Sequence, residues 1–124
     1  MAEEEFKYKT PEEIAALPVF PEPEQTDGGS FLGDGQGYVY FITESGNTNY
    51  FKVGKTVDPN TRRMNLQTGS PRRLDMSPVC VSSMASAEAR VLQVMRENYQ
   101  STDGGTEWFY GNVAQAKRLF MSTV

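Results

Sequence analysis

At 124 residues and 38% hydrophobic content, the chain is sized for one domain with a modest core. Its net charge of −4 hides two halves of opposite sign: residues 1–36 hold nine acids against Lys7 and Lys9, while residues 37–124 hold ten basic and seven acidic residues. A single cysteine (Cys80) and no histidine exclude an internal disulfide and a conventional zinc site, and no apolar run approaches membrane-spanning length. The acidic start is not a signal peptide, so an intracellular, cytoplasmic protein without a membrane partner is expected.

Residues 1–36 read as an acidic leader rich in Pro, Glu and Gly. One local element stands out: Thr10 as N-cap, Pro11 at the first helical position and Glu13 closing a capping box. Leu17, Val19 and Phe20 then form a small apolar tag before PEPEQTDGGS. Two readings follow. The leader is solvated and its tag packs on the domain, or it is a negative flap over the basic half.

Residues 37–124 read as the domain, and it opens with a β-hairpin. Two aromatic-rich runs, GYVYFIT and YFKVGKT, flank the polar turn ESGNTN. Alternation puts Val39, Phe41, Phe51 and Val53 on one face and Tyr38, Tyr40 and Lys52 on the other, with Gly54 as a bare floor beside them. A purely structural hairpin would use tyrosines in the same way, for strand propensity. Asp58 (N-cap), Pro59 (first turn) and Gly69 (stop) mark the next helix, which carries Arg62 and Arg63. The loop SPRRLD adds Arg72 and Arg73 to Lys52, Lys55, Arg62 and Arg63. Such a group is either a phosphate-contacting surface or an ordinary solvated one diluted by Asp58 and Asp75.

MSPVCVS (76–82) reads as a third strand at a sheet edge, because Pro78 cannot donate to a ladder. Cys80 within it reads as a small buried or half-buried side chain. A helix from Ser86 to about Tyr99 carries the stripe Val91, Leu92, Met95 and Tyr99, and Glu88 falls on the line of that stripe. A carboxylate there needs a cation, a metal or hydrogen-bond donors, unless it merely complements the helix N-terminus. After the STDGG loop, Glu107 is placed to orient a basic neighbour, and Trp108 and Phe109 belong to the core. A last helix from about Val113 buries Val113, Ala116 and Phe120 and presents Lys117 and Arg118.

These motifs resemble the GIY-YIG nuclease superfamily. Tyr38-Val39-Tyr40 stands where that family has G-I-Y, Lys52-Val53-Gly54 where it has Y-I-G, and Arg62 at the spacing of the family arginine. K-V-G-K-T, L-Q-T-G-S-P and G-T-E-W-F are most similar to the phage and bacterial branch named after a phage T5 reading frame, from about Gly37 to the C-terminus. The resemblance implies an α+β fold with a small three-stranded antiparallel sheet flanked by helices. It also implies a metal-dependent endonuclease acting on DNA, duplex or branched, in the host cytoplasm for a phage-encoded member.

Carried over residue by residue, the resemblance makes Glu88 the single ligand of Mg²⁺ (or Mn²⁺) and Arg62 the phosphate grip. It makes Tyr40 and Lys52 the groups that activate water, with Lys55 and Arg62 lowering the Lys52 pKa by like-charge repulsion. Tyr38 and Lys55 are further proton-transfer candidates, because Leu66 stands where the family often has histidine. Thr56, Arg63, Arg72 and Arg73 complete the nucleic-acid-contacting set. With no room for a separate DNA-reading domain, selection would come from a homodimer, a specificity-providing protein partner or DNA shape, which fits nicking or weakly specific cleavage. The alternatives are a catalytically inactive nucleic-acid-binding or assembly module with this fold, and a protein inhibitor whose acidic tail imitates nucleic acid.

Overall fold

Strand alternation divides the molecule into layers. The computed structural model describes residues 6–22, 35–102 and 108–124. Most of PEPEQTDGGS, most of the STDGG loop and Glu107 lie outside the described residues. The elements run α1 (Pro11–Ala15), β1 (Gly37–Glu44), β2 (Tyr50–Thr56), α2 (Pro59–Thr68), β3 (Leu74–Val81), α3 (Met84–Asn98), β4 (Gln100–Ser101), β5 (Trp108–Tyr110) and α4 (Val113–Thr123).

The class is α+β, and the sheet is antiparallel with five strands in the order β3-β1-β2-β5-β4. The expected three strands are its β3-β1-β2 part. β5 and β4 extend it at the β2 edge, pairing Lys52 with Trp108 and Tyr50 with Tyr110. At three and two residues, these strands are too short to show a period of two, so WFY reads as core but not as strand.

Phe41 faces Val53 and Phe51 faces Phe109 across the sheet, and with Val39 they meet the stripes of α3 and α4. Val91, Met95, Ala116 and Phe120 are essentially inaccessible there. The larger of these, Val91, Met95 and Phe120, each contribute about 1.5–3 kcal/mol of burial. On the opposite face Tyr40, Ile42, Leu74 and Met76 enclose Ile14 of α1, with Leu66 of α2 against them. Both faces are therefore covered, one by α3 and α4, the other by α1 and α2.

Local chemistry accounts for the boundaries. Thr10 and Glu13 form the reciprocal capping box of α1, and the Asp58 carboxylate accepts from the Thr61 N–H at the start of α2. Gly46, with φ of 83°, makes the left-handed turn of the hairpin, where a side chain would be strained. β3 lies at the sheet edge, as Pro78 requires. Cys80 on it is exposed rather than buried, because it lies on the edge strand one residue from its end. No described helix is long and apolar enough to cross a membrane.

Candidate active site

Gly54 and Lys55 occupy the middle of the site. Tyr40 is the direct cross-strand partner of Gly54, and a Cβ at Gly54 would collide with the Tyr40 hydroxyl and ring. Only a residue without a side chain lets the phenol lie over the β2 backbone. Lys52, paired with Ile42 and Trp108, shares this face, and its ammonium stands 5.8 Å from the Trp108 ring centroid. Tyr38 shares it as well.

Lys55 points to the opposite face, since it pairs with Val39. There its ammonium donates to Glu88 Oε1 at 3.1 Å, with the lysine 38% and the glutamate 15% exposed. The sheet thus parts the expected constellation into two groups, Tyr38, Tyr40 and Lys52 on the α1/α2 side and Lys55 with Glu88 on the α3 side. Lys52 and Lys55, expected to act together, are sent to opposite faces by strand alternation. β5 pairs with Tyr50 to Lys52 alone, so the β2 edge beyond Lys52 has no strand neighbour among the described residues.

The setting of Glu88 shows what compensates its charge. α3 begins at Met84 with Ser83 as its N-cap, two residues earlier than the serine at 86 suggested. Glu88 therefore lies in the second turn, beyond the strongest reach of the helix dipole. Its compensation is the Lys55 cation. No cluster of three or more acidic, cysteine or histidine residues exists among the described residues. The donor set suits only an ion that takes one carboxylate and fills its remaining positions with water and phosphate, which is the habit of Mg²⁺. Lys55 contacts Oε1 of Glu88, so Oε2 would be the oxygen to face such an ion.

The other candidates are placed as follows. Arg62 is exposed in the first turns of α2. Arg63 is half-buried, and its Nε lacks a hydrogen-bond partner. The Thr56 hydroxyl is bound into the β2–α2 turn, donating to Asp58 O at 3.1 Å and accepting from Asp58 N at 3.0 Å. Arg72 and Arg73 are exposed near Glu44 (4.0 Å) and Asp75 (3.4 Å), so part of their charge is offset locally. A cavity of about 430 Å³ lies between α2 and the β2/β5 edge, lined by Tyr50, Leu66, Leu74 and Trp108 among others, but by none of the candidate catalytic side chains.

Sequence reasoning missed what covers the tyrosines. Tyr38 and Tyr40 are 2% and 3% exposed. The Tyr38 hydroxyl donates to Pro18 O at 2.6 Å, and the Phe20 ring lies 5.6 Å from the Tyr38 ring. Burial raises the Tyr38 pKa, with Cys80 adding in the same direction. The apolar tag in an otherwise acidic leader was the available signal, although it does not say where the tag lands. A second omission is Gln67, whose amide clamps the loop after α2 by donating to Arg72 O (2.7 Å) and accepting from Leu74 N (2.8 Å).

Residues 37–122 match the model of the T5orf172 domain. No curated protein and no solved structure matches the chain.

Proposed function

Because the chain belongs to the T5orf172 domain family, we propose that it is a GIY-YIG-type, divalent-metal-dependent endonuclease that nicks DNA or cuts it with weak specificity. The observation that carries this reading is Glu88. A lone carboxylate on an apolar helix stripe, beyond the first turn and held by Lys55 beside Gly54, has little to contribute to packing.

In the proposed reaction the phosphodiester lies across the open end of β2, where Tyr40 and Lys55 approach the Gly54 backbone from opposite faces. Arg62 grips the non-bridging oxygens through its planar, permanently charged fork. Mg²⁺ or Mn²⁺ on Glu88 would supply an acidified water and neutralise developing phosphate charge. The Tyr40 hydroxyl, lying over the Gly54 backbone, would orient an attacking water from the other face once uncovered, and Lys52 on its face adds positive potential. When phosphate enters, Lys55 has two anions within reach and can transfer its hydrogen bond from Glu88 to the leaving side of the phosphate. Arg63, Arg72 and Arg73 hold flanking phosphates, duplex or branched, and a second copy or a partner protein supplies selection.

Incubating the protein with supercoiled plasmid tests the proposal. Conversion to open circles in Mg²⁺ or Mn²⁺ and not in EDTA is expected. Intact supercoiled, linear and branched DNA under every condition would remove the enzyme reading. The burial of Tyr38 and Tyr40 favours a second reading, an inactive nucleic-acid-binding module. That module would shift DNA in a gel and break no strand with either metal.

A further inference from the structure

Residues 6–22 wind around the β3 edge of the sheet. Phe6 packs on the α3/α4 side, with its ring centroid 5.2 Å from Phe41 and 6.2 Å from Phe120. Lys9 then forms a β-bridge to Met76, its N–H donating at 2.9 Å. On the other face α1 sets Ile14, 1% exposed, among Tyr40, Ile42, Leu74 and Met76. The path ends with Pro18 on the Tyr38 hydroxyl and Phe20 N–H donating to Val57 O at 3.1 Å. The family match begins only at residue 37, so this segment lies outside the matched region and packs over the candidate site.

We propose that residues 6–22 are an autoinhibitory strap, which occupies the face of Tyr38 and Tyr40 when closed and is displaced when nucleic acid binds. Its effect on cleavage rests on the nuclease reading; its effect on binding does not.

The two ends of the strap are held very differently. Phe6, Tyr8 and Lys9 are fixed by edge-on aromatic contacts, by the backbone bridge and by Lys117, whose ammonium stands 4.5 Å from the Tyr8 ring centroid. Beyond Thr10 the hold rests on one fully buried side chain, Ile14, on the Phe20–Tyr38 ring contact and on two hydrogen bonds, Tyr38 to Pro18 O and Phe20 N–H to Val57 O. α1 has five residues, too few to persist as a helix without its packing, and its capping box is exposed. Val19 is 61% exposed. Such a segment belongs to the low-stability end of a fold and can open from a hinge at Thr10 while the sheet stays intact. Charge favours the exchange: Glu12, Glu13 and Glu22 are the only ionisable side chains from Thr10 to Glu22, and α1 packs on α2, which carries Arg62 and Arg63. A polyanion drawn to that helix competes with the acidic strap.

The test uses the full chain, the pair Thr10→Ala with Glu13→Ala, and separately Phe20→Ala. None of these residues belongs to the proposed catalytic machinery. Hydrogen exchange over residues 10–22, DNA affinity at low salt and plasmid nicking are measured on each. Faster exchange confined to residues 10–22, several-fold tighter DNA binding and faster nicking are expected together. In the unmodified chain, saturating duplex DNA should speed exchange over the same residues. If the strap loosens while affinity stays equal or falls, it is a structural brace and the proposal is overturned. Should the variants fail to fold, the unmodified chain decides: unchanged or slower exchange with DNA overturns the strap. Absence of nicking from every form, with tighter binding and DNA-driven release retained, removes the nuclease reading and leaves the strap standing.

Discussion

Tyr40 and Gly54 are in contact across β1 and β2 so close that a methyl group on the glycine would overlap the phenol. The phenol is 3% exposed and walled in by Ile42, Leu74 and Met76, so it has little room to retreat. Gly54→Ala should therefore destabilise the fold by about 1–3 kcal/mol, the usual cost of overpacking. Tyr40→Phe removes the nearest atom but keeps the ring, so the double variant should recover only part of the loss. A thermal-denaturation double-mutant cycle measures the coupling. An unchanged melting temperature for Gly54→Ala would mean that the ring swings aside freely, and the site would lose its rigid floor.

Tyr8 gives the molecule a pH dependence at the alkaline end. Burial outweighs its hydrogen bond with Thr43 (2.7 Å) and raises its pKa from 10.0 to about 12. Between those values the unfolded chain has lost the phenolic proton while the folded chain keeps it, so stability falls as pH rises. The contribution is complete below pH 10 and is lost as pH climbs through about 12. Tyr8→Phe should flatten this part of the stability profile in urea titrations. At neutral pH it should cost about 1 kcal/mol, because the Thr43 hydroxyl, on a residue 3% exposed, loses its Tyr8 partner. An equally steep alkaline decline in the variant would assign the effect to other groups.

Arg72 and Arg73 are 72% and 67% exposed. If they contact phosphates, replacing each with Ala should weaken DNA binding and lower the slope of log affinity against log salt by about one unit per contact. Stability should change by no more than about 0.5 kcal/mol, since the nearby Glu44 and Asp75 are weak surface partners. A salt slope equal to that of the unmodified protein would place both arginines outside the interface.

The hairpin, both capped helices and the partition of Val39, Phe41, Phe51 and Val53 from Tyr38, Tyr40 and Lys52 were legible in the sequence. Each rests on local chemistry: a period of two, an N-cap, a turn glycine. The short strands at 100–101 and 108–110 were not, because their existence depends on the free β2 edge that they pair with. The same limit applies to the site. Periodicity showed that Glu88 needs a partner, and the partner proved to be Lys55, named in the sequence for another role. Alternation along β2 already implied that Lys52 and Lys55 diverge, yet motif order grouped them together. The cover over Tyr38 depends on where a chain 20 residues away comes to rest, which no local pattern encodes.

Glu88→Gln separates catalysis from stability most sharply. Gln keeps the shape and can still accept a hydrogen bond from Lys55, but it removes the charge. The pair is partly solvated, with Lys55 38% exposed, so its loss should cost only about 0–1 kcal/mol. Lys55→Met should cost more, because it leaves the more deeply buried carboxylate, 15% exposed, without its cation. If Glu88 holds the metal, Glu88→Gln abolishes Mg²⁺-dependent nicking while DNA binding is kept or tightened, since one anion near phosphate is gone. A purely structural ion pair predicts the same small loss of stability but unchanged binding and unchanged nicking. Denaturation curves, anisotropy with labelled duplex and a plasmid assay on the three proteins decide between them. Full cleavage by Glu88→Gln would remove this residue from the chemistry, and with it the observation on which the nuclease assignment stands.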